Sequence, residues 1–310
     1  MNEIRKDYLL NRFVIVAENR GARPHDFIQE EAKAKECKRC FFCPGNESLT
    51  PPETGRIGTK KKWLVRSFYN KFPAVSSDYP AANGSHEIIV ETPDHCKQMS
   101  NLTVEQLIRI LDLYAERTKK LEAQDGIEYV SVFKNQGPAA GTSILHAHSQ
   151  LIALPELPPL IGRELTAFKN AKREGRGCVF CSTIKSEAKG PRKIFEDRHF
   201  LVIAPYASRV AYEAWFLPKR HIHKVTDLSP AEKKSLATLL KRFLQRLDRL
   251  FKHPSFNFYL HAAPGTDDFH FHIELLPRLT TWAGFELGNA AYINPVSPES
   301  AAKSLRSGKS

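Results

Sequence analysis

The sequence predicts an α+β protein built from two copies of one unit, each an antiparallel sheet carrying one long helix. Three observations predict it. A short pattern ending in His-x-His occurs twice, in His146-Ala147-His148-Ser149-Gln150 and in His270-Phe271-His272-Ile273-Glu274. A Cys-x-x-Cys precedes each, at Cys40/Cys43 and Cys178/Cys181. Between these landmarks each half holds one N-capped amphipathic helix flanked by strand-like segments. Self-similarity on this scale marks an internal duplication.

The copies run nearly in register. His95 to His146 is 51 residues and His221 to His270 is 49, whereas Cys40 to His95 is 55 and Cys178 to His221 is 43, a difference one loop insertion explains. In the first half Glu87–Glu91 reads as a strand. A helix then starts at Thr103, where Thr103-x-x-Gln106 forms a capping box, and continues with Leu107, Ile110, Leu111 and Tyr114 at three/four spacing. Tyr129–Lys134 and Gln150–Leu154 follow as strands. Residues from about Pro155 to Arg176 make the connection, Pro-rich at first and then charged and helical. The second half opens with strands at His199–Ala204 and Glu213–Pro218. Its helix starts at Ser229, with Pro230 at the first helical position and Glu232 closing the box. Leu236, Leu239, Leu240, Phe243 and Leu247 form its apolar stripe, and strands Phe256–Leu260 and Phe271–Leu276 complete the unit. Alternation in several of these segments suits a sheet with one covered face. The units are 1–160 and 161–310, with Lys303–Ser310 as a frayed end.

Composition narrows the class. Of 310 residues, 42% are hydrophobic and 26% charged, as in soluble globular proteins. No apolar stretch approaches the 18 or so residues of a membrane span. The charged start Met1-Asn2-Glu3-Ile4-Arg5-Lys6-Asp7 does not read as a signal peptide, so the expected location is cytoplasmic. In a reducing compartment the paired cysteines read as metal or redox chemistry, not as disulfides. Lys and Arg number 46 against 34 Asp and Glu, a net charge of +12. That excess suits an anionic partner, either phosphorylated small molecules or nucleic acid, and equally a basic solvated surface.

Cys-x-x-Cys brings two thiolates to one ion from a tight turn, and Zn²⁺ takes four N/S ligands in a tetrahedron. Two structural zinc sites are expected: Cys40, Cys43, His95 and His146 in one, and Cys178, Cys181, His221 and His270 in the other. A redox pair is disfavoured because neither Cys-x-x-Cys is expected to open a helix in a βαβ context. A single Cys₄ ribbon leaves the histidines unexplained. Cys37 extends the first motif to Cys37-x-x-Cys40-x-x-Cys43, but it and Cys96 are read as ordinary thiols; His223 is an alternative to His221.

In a strand, residues i and i+2 share a face. His146 and His148 then lie side by side, and a metal held by the first fixes the position of the second. A neutral imidazole attacks phosphorus when one ring nitrogen is free and the other donates to a fixed acceptor. Gln150, on the same face, donates its amide to phosphate oxygens. The preceding segment Asn135-Gln136-Gly137-Pro138-Ala139-Ala140-Gly141-Thr142-Ser143 supplies backbone amides for a phosphate, with Asn135, Gly141 and Ser143 as its contact residues. The bland alternative is that His148 and Gln150 merely cover the sheet.

With these residues in hand the chain resembles, over nearly its whole length, the galactose-1-phosphate uridylyltransferase family of the histidine-triad superfamily. The family's Arg-x-x-Arg-Pro corresponds to Arg20-Gly21-Ala22-Arg23-Pro24, and its Cys-x-x-Cys-Pro-Gly-Asn-Glu to Cys40 through Glu47. Its Asn-x-Phe-Pro-Ala corresponds to Asn70 through Ala74, and its Pro-x-His to Pro93-Asp94-His95. The signature His-Pro-His-x-Gln is His146 to Gln150, with Ala147 in place of Pro. The resemblance implies two histidine-triad-like domains, the N-terminal one catalytic. It implies that His148 carries the nucleotidyl group between a nucleotide-sugar and a sugar 1-phosphate or phosphate, ping-pong fashion, while Gln150 steadies the phosphate. It further implies that Arg20 and Arg23 hold phosphates, that Asn70 lies near the ribose, that Glu286 reaches the sugar hydroxyls, and that the chain forms a homodimer. Gln150 stands where related hydrolases carry a third His, which argues against a dinucleotide hydrolase.

Three departures matter. Lys71 follows Asn70 where uridylyl-transferring members usually have an acid. Cys178/Cys181, together with Gly284-Phe285-Glu286-Leu287-Gly288 and Tyr292-Ile293-Asn294-Pro295, resemble the adenylyl-transferring ADP-glucose phosphorylase branch. Some members instead hold iron in the second half through a Glu and three His, a set that Glu164, His261, His270 and His272 imitate; the intact cysteine pair favours zinc. Glu274 stands where the first half has Gln150, and an acid there repels phosphate, so one catalytic half per chain is expected. A basic zinc module for nucleic acid is the reading from another class. It requires basic and aromatic residues interleaved on one face, and no such run is present, so neither nucleic acid nor membrane is an expected partner.

Overall fold

Local signals set both long helices, and the sheet they cover runs through both halves without a break. In the computed structural model, which describes residues 2–20, 40–263, 265 and 268–308, the first half contains β1 (Glu3–Lys6), β2 (Phe13–Val16), β3 (Glu53–Gly58), β4 (Trp63–Tyr69), β5 (Ser85–Val90), α1 (Val104–Glu122), β6 (Tyr129–Gln136) and β7 (His148–Leu154). After α2 (Pro159–Arg173) come α3 (Val179–Glu187), β8 (Lys193–Glu196), β9 (Phe200–Ile203), β10 (Ala214–Pro218), α4 (Pro230–Phe251), β11 (Phe256–His261) and β12 (His272–Pro277). The chain closes with α5 (Gly284–Asn289), β13 (Tyr292–Asn294) and α6 (Pro298–Ser307).

Both predicted caps form, but only one box closes. Ser229 Oγ accepts from the Glu232 N–H, and Glu232 returns its carboxylate to the Ser229 N–H at 2.8 Å. Arg220 anchors the same carboxylate at 2.7 and 2.8 Å, which holds Glu232 down at about 2. At α1 the Thr103 hydroxyl accepts from the Gln106 N–H at 3.1 Å. The Gln106 side chain turns inward instead, donating to the Leu64 and Glu91 carbonyls at 2.7 Å each. Two buried acceptors outcompete one backbone N–H at the helix end, because an unpaired carbonyl in the core is costly.

The strands form one ten-stranded sheet ordered β3-β4-β5-β7-β6-β11-β12-β10-β9-β8, and every neighbouring pair in it is antiparallel. The order is symmetric about the seam where β6 pairs with β11, from Phe256↔Gln136 to Leu260↔Val132. The duplication is therefore legible in the topology. A small second sheet, β1-β2-β13, was not anticipated; in it β13 joins β2 in parallel.

One face of the sheet lies under α1 and α4, which pack together over it. Their stripes, Leu107 to Tyr114 and Leu236 to Leu247, meet Val132, Leu151, Phe258 and Ile273 in one core. Strand alternation sends Ser149 and Leu151 to that face, and His148 and Gln150 to the other. On the opposite face, Ile161 and Phe168 of α2 and Phe180 of α3 pack with Trp215 of β10 in the second half, and Cys40 and Phe42 pack with Phe68 of β4 and Ile88 of β5 in the first.

A buried ionic cluster ties β10 to β12. Arg209 Nη2 donates to Glu213 at 2.6 Å and to Glu274 at 2.5 Å, all three residues being almost fully buried. Burial alone would raise Glu274, but the adjacent guanidinium holds it well below the carboxylate range. Removing one partner strands the others. Arg209→Met is expected to lower the unfolding free energy by about 3–5 kcal/mol, read by urea denaturation.

At pH 7 Glu232→Gln is expected to cost about 1 kcal/mol. Because the folded-state value is depressed, that contribution is present above the unfolded value near 4.5. It is lost as pH falls toward 2, so wild-type and variant melting curves should converge there.

Candidate active site and metal centres

The turn Cys40–Cys43 closes through a Cys43 N–H bond to Cys40 O at 3.2 Å, and Asn46 Nδ2 braces the same carbonyl at 2.8 Å. The chain leaves β5 through Thr92 and Pro93 to His95, and re-enters the sheet at His146, just before β7. The Glu91 N–H bond to Ala147 O, 3.0 Å, holds these two passages together. The four predicted residues Cys40, Cys43, His95 and His146 converge, their donor atoms within 4.8 Å of one another. Sulfur to Nδ1 distances are 3.5 Å for Cys43–His95, and 3.6 and 3.7 Å from Cys40 and Cys43 to His146. Zinc bonds of about 2.3 Å to sulfur and 2.0–2.1 Å to nitrogen at tetrahedral angles put such atoms about 3.6 Å apart, so the donors fit that ion. His146 Nε2 donates to Thr92 O at 2.7 Å, which leaves Nδ1 with its lone pair toward the sulfurs.

The second set behaves alike. Cys178 Sγ lies 3.4 Å from His270 Nδ1; Cys181 Sγ lies 3.5 Å from His270 and 3.5 Å from His221. His270 Nε2 donates to Pro218 O at 2.9 Å. The hydrogen bond between the two thiols holds Cys181 well below the ordinary thiol range, helped by the two imidazoles, while the same bond and burial push Cys178 up. Contrary to the expectation that neither motif opens a helix, Cys178 is the N-cap of α3 and its sulfur accepts from the Cys181 N–H. The strands that follow are antiparallel, so the setting is still not βαβ. His221 joins the set, while His223 sits beside Asp227.

The iron-type grouping needs correction. His270 belongs with the cysteines, and Glu274 takes the fourth place beside Glu164, His261 and His272. Glu164 holds His261 Nδ1 at 2.9 Å. Burial would lower His261, but the carboxylate keeps it above the usual histidine value.

His148 begins β7, so His146 precedes the strand instead of sharing it. The two are still coupled, because His148 Nδ1 donates to His146 O at 2.8 Å. A carbonyl only accepts, so in the neutral ring Nε2 keeps its lone pair. The ring packs edge-on to Phe42 with centroids 5.4 Å apart and remains 7% exposed. Burial lowers its basicity, and the Lys134 ammonium lowers it further. Lys134 and Glu91, both fully buried, were not singled out in the sequence. Lys134 Nζ donates to Glu91 at 2.8 Å and to His148 O at 3.1 Å, while Ser149 Oγ binds Glu91 and lies 2.5 Å from Tyr114 Oη. The α1 side of the sheet thus grips the backbone of the residue whose side chain emerges opposite. Two residues on, Gln150 Oε1 lies 2.8 Å from His86 Nε2, and Asn70 Nδ2 lies 3.2 Å from the same nitrogen.

Gln150 and Asn70 therefore both approach His86, on the sheet face from which His148 emerges. Asn135 is bonded elsewhere, accepting from Asn257 Nδ2 at 2.8 Å across the seam. In the loop after β6, Gly137 and Gly141 take positive φ of 81° and 87°. The Ala140 and Gly141 N–H groups are spent inside the turn, on Gly137 O and Pro138 O at 3.1 and 3.0 Å, and Ser143 is exposed. Glu286 accepts from the Ala283 N–H at the start of α5 at 2.9 Å. Arg20 ends a 3-10 turn, half-buried; Arg23 lies outside the described residues.

The second His-x-His copies the backbone geometry without the access. His272 Nδ1 donates to His270 O at 3.0 Å, as in the first half. Its ring is completely buried among Phe180, Trp215 and Phe269, and burial drives it down to about 4.

Comparison with known proteins agrees with this geometry. Residues 1–158 match the family model described as galactose-1-phosphate uridyl transferase, N-terminal domain, and residues 177–282 that described as scavenger mRNA decapping enzyme C-term binding. ADP-glucose phosphorylase of Arabidopsis thaliana is 33% identical over 98% of this chain and 92% of its own. Galactose-1-phosphate uridylyltransferase of Thermotoga maritima is 31% identical over 99% and 98%. The crystal structure of the Arabidopsis thaliana ADP-glucose phosphorylase with bound ADP-glucose superposes with a TM-score of 0.88, covering 99% of both chains. On the order of its motifs, its paired folds and these relatives, the chain belongs to the galactose-1-phosphate uridylyltransferase family.

Proposed function

We propose that the protein is a nucleotidyltransferase in which His148 carries a nucleoside monophosphate from a nucleotide-sugar to a sugar 1-phosphate or to phosphate. The observation that carries this reading is the His148 Nδ1–H bond to His146 O, which leaves an unprotonated Nε2 on the sheet face that also bears Gln150. The Nε2 lone pair attacks the α-phosphorus. A P–N bond forms, the P–O bond to the sugar phosphate breaks, and that oxygen keeps the electron pair. The imidazole gains positive charge, which the Nδ1–H bond to the His146 carbonyl stabilises. A phosphate oxygen of the acceptor then attacks the same phosphorus, and the P–N electrons return to Nε2. The leaving sugar phosphate has a second pKa of about 6 and needs little proton donation, so an amide such as Gln150 suffices where hydrolases carry a histidine. Arg20, Arg23, Asn70 and Glu286 are assigned to substrate as the family resemblance implies; Asn135 and Ser143 are assigned from the loop before β7, whose Gly141 N–H is spent inside its own turn.

Adenylyl transfer is the second reading of the same chemistry. It is supported by the second Cys₂His₂ set and by Lys71 after Asn70. The two sets hold zinc as structural ions, one in each of the domains 1–160 and 161–310. The first fixes the segment that leads into His148 and the second supports the inert copy. Among the described residues no helix is long and apolar enough to cross a membrane, and the reading places a homodimer in the cytoplasm. The α5 helix, where Leu287 is 74% exposed beside Glu286, offers a surface for the second copy.

Incubation with ADP-glucose, UDP-glucose and UDP-galactose, each labelled at the α-phosphate, should leave acid-labile label on the wild type from at least one donor and none on His148→Ala. Equal labelling of both proteins would refute the role of His148.

Plasma mass spectrometry should find two zinc ions per chain, and one in Cys43→Ser. Because ligand binding is folding energy at such sites, a strong chelator should lower the melting temperature of both proteins; a chain with no zinc and an unshifted melting point refutes the assignment.

A further inference from the structure

His86 stands on β5 two residues before Ile88, the cross-strand partner of Gln150. That offset makes it the diagonal neighbour of Gln150 on the same face, within reach of a long side chain. The ring is buried, and its Nδ1 accepts the Ala74 N–H at 3.1 Å. A nitrogen that accepts carries no proton, so the ring proton sits on Nε2. Burial keeps the ring neutral by lowering its basicity. Nε2 lies 2.8 Å from Gln150 Oε1. An N–H bonds only to the oxygen end of an amide, so this contact decides which way the Gln150 amide faces. Its oxygen turns to His86 and its NH₂ turns away. Reversed, the amide would present a lone pair to phosphate oxygens and repel them. Asn70 Nδ2 stands 3.2 Å from the same nitrogen, and because both are donors no bond forms there; the Asn70 Oδ1 takes the Phe72 N–H at 2.9 Å instead.

We propose that His86 is a positioning residue for nucleotidyl transfer, its Nε2–H holding the Gln150 amide so that the NH₂ faces the transferred phosphate while the ring spaces that amide from Asn70. The role rests on the function proposed above. His86 makes no bond with substrate and forms none during transfer; it acts only through Gln150. A residue of merely structural use would weaken the fold alike whether or not Gln150 is present, and would not care which ring nitrogen holds the proton.

Both differences are measurable. Single-turnover transfer of α-phosphate label to the protein is followed for wild type, His86→Leu, His86→Gln, Gln150→Ala and the double variant His86→Leu/Gln150→Ala. Gln150→Ala should slow transfer about a hundredfold, as loss of one aligned donor does. His86→Leu should slow it about tenfold, the usual scale for losing an orienting partner, with half-saturation by donor little changed. In the Gln150→Ala background His86→Leu should cost nothing more, and His86→Gln, whose amide N–H reaches the same oxygen, should recover most of the rate. Wild-type transfer by His86→Leu, or the same slowing in both backgrounds, overturns the proposal.

Nitrogen NMR of histidine-labelled wild type provides a readout free of activity: Nε2 protonated is expected for His86, and Nδ1 protonated overturns it. Failure of every donor to label the wild type overturns nucleotidyl transfer, and this role with it, and is recognised separately because the tautomer result does not depend on it.

Discussion

Backbone carbonyls assign the work of four imidazoles in this molecule. Thr92 O and Pro218 O take the Nε2 protons of His146 and His270 and so turn Nδ1 toward cysteine sulfur. The carbonyls of His146 and His270 take the Nδ1 protons of His148 and His272 and so leave Nε2 as a base. A histidine two residues from another is thus given the opposite tautomer by nothing more than which carbonyl it meets. The cysteine turn, the β5 exit and the β7 entry all serve to keep those carbonyls in place. His146 thus links the first Cys₂His₂ set to the proton on His148 Nδ1 through its own carbonyl.

The two halves share this scheme and differ in what surrounds it. Among the described residues Phe42 packs edge-on to His148, which is 7% exposed; His272 is wholly buried among three aromatic side chains. Gln150 is neutral and its oxygen is occupied by His86, whereas Glu274 is ionised and bound to Arg209. Beneath the strand, the first half uses Lys134 and Glu91 to fix the His148 carbonyl. The second half spends its buried charges on joining β10 to β12.

The features legible in the sequence were those with short-range or repeated causes. Thr103 and Ser229 cap helices because the capping residues lie within one turn of what they cap. The Cys₂His₂ sets could be read because donor chemistry recurs at matched offsets, and both sets converge in space. Misread details had distant causes. Gln106 follows the rule for a capping box, yet Leu64 O and Glu91 O claim its amide. Lys134 and Glu91 are 43 positions apart, and each looks like a surface residue until the fold makes them neighbours. His270 could be assigned to either metal-type cluster from spacing; the Pro218 carbonyl, which turns its ring toward the sulfurs, settles where it goes. The single sheet was hidden for a related reason. Alternation along Phe256–Leu260 reports that one face is covered, and says nothing of which strand lies alongside.

The β6–β11 seam has a consequence for how such a molecule can be divided. Each strand presents a full row of amides and carbonyls to the other across the midline of the sheet. A half released by itself would bare that row over five consecutive positions, an open template for any extended chain nearby. Either fragment should then seek a replacement for its lost neighbour, most readily another copy of itself, and crowd into dimers or insoluble fibrils before behaving as an independent module.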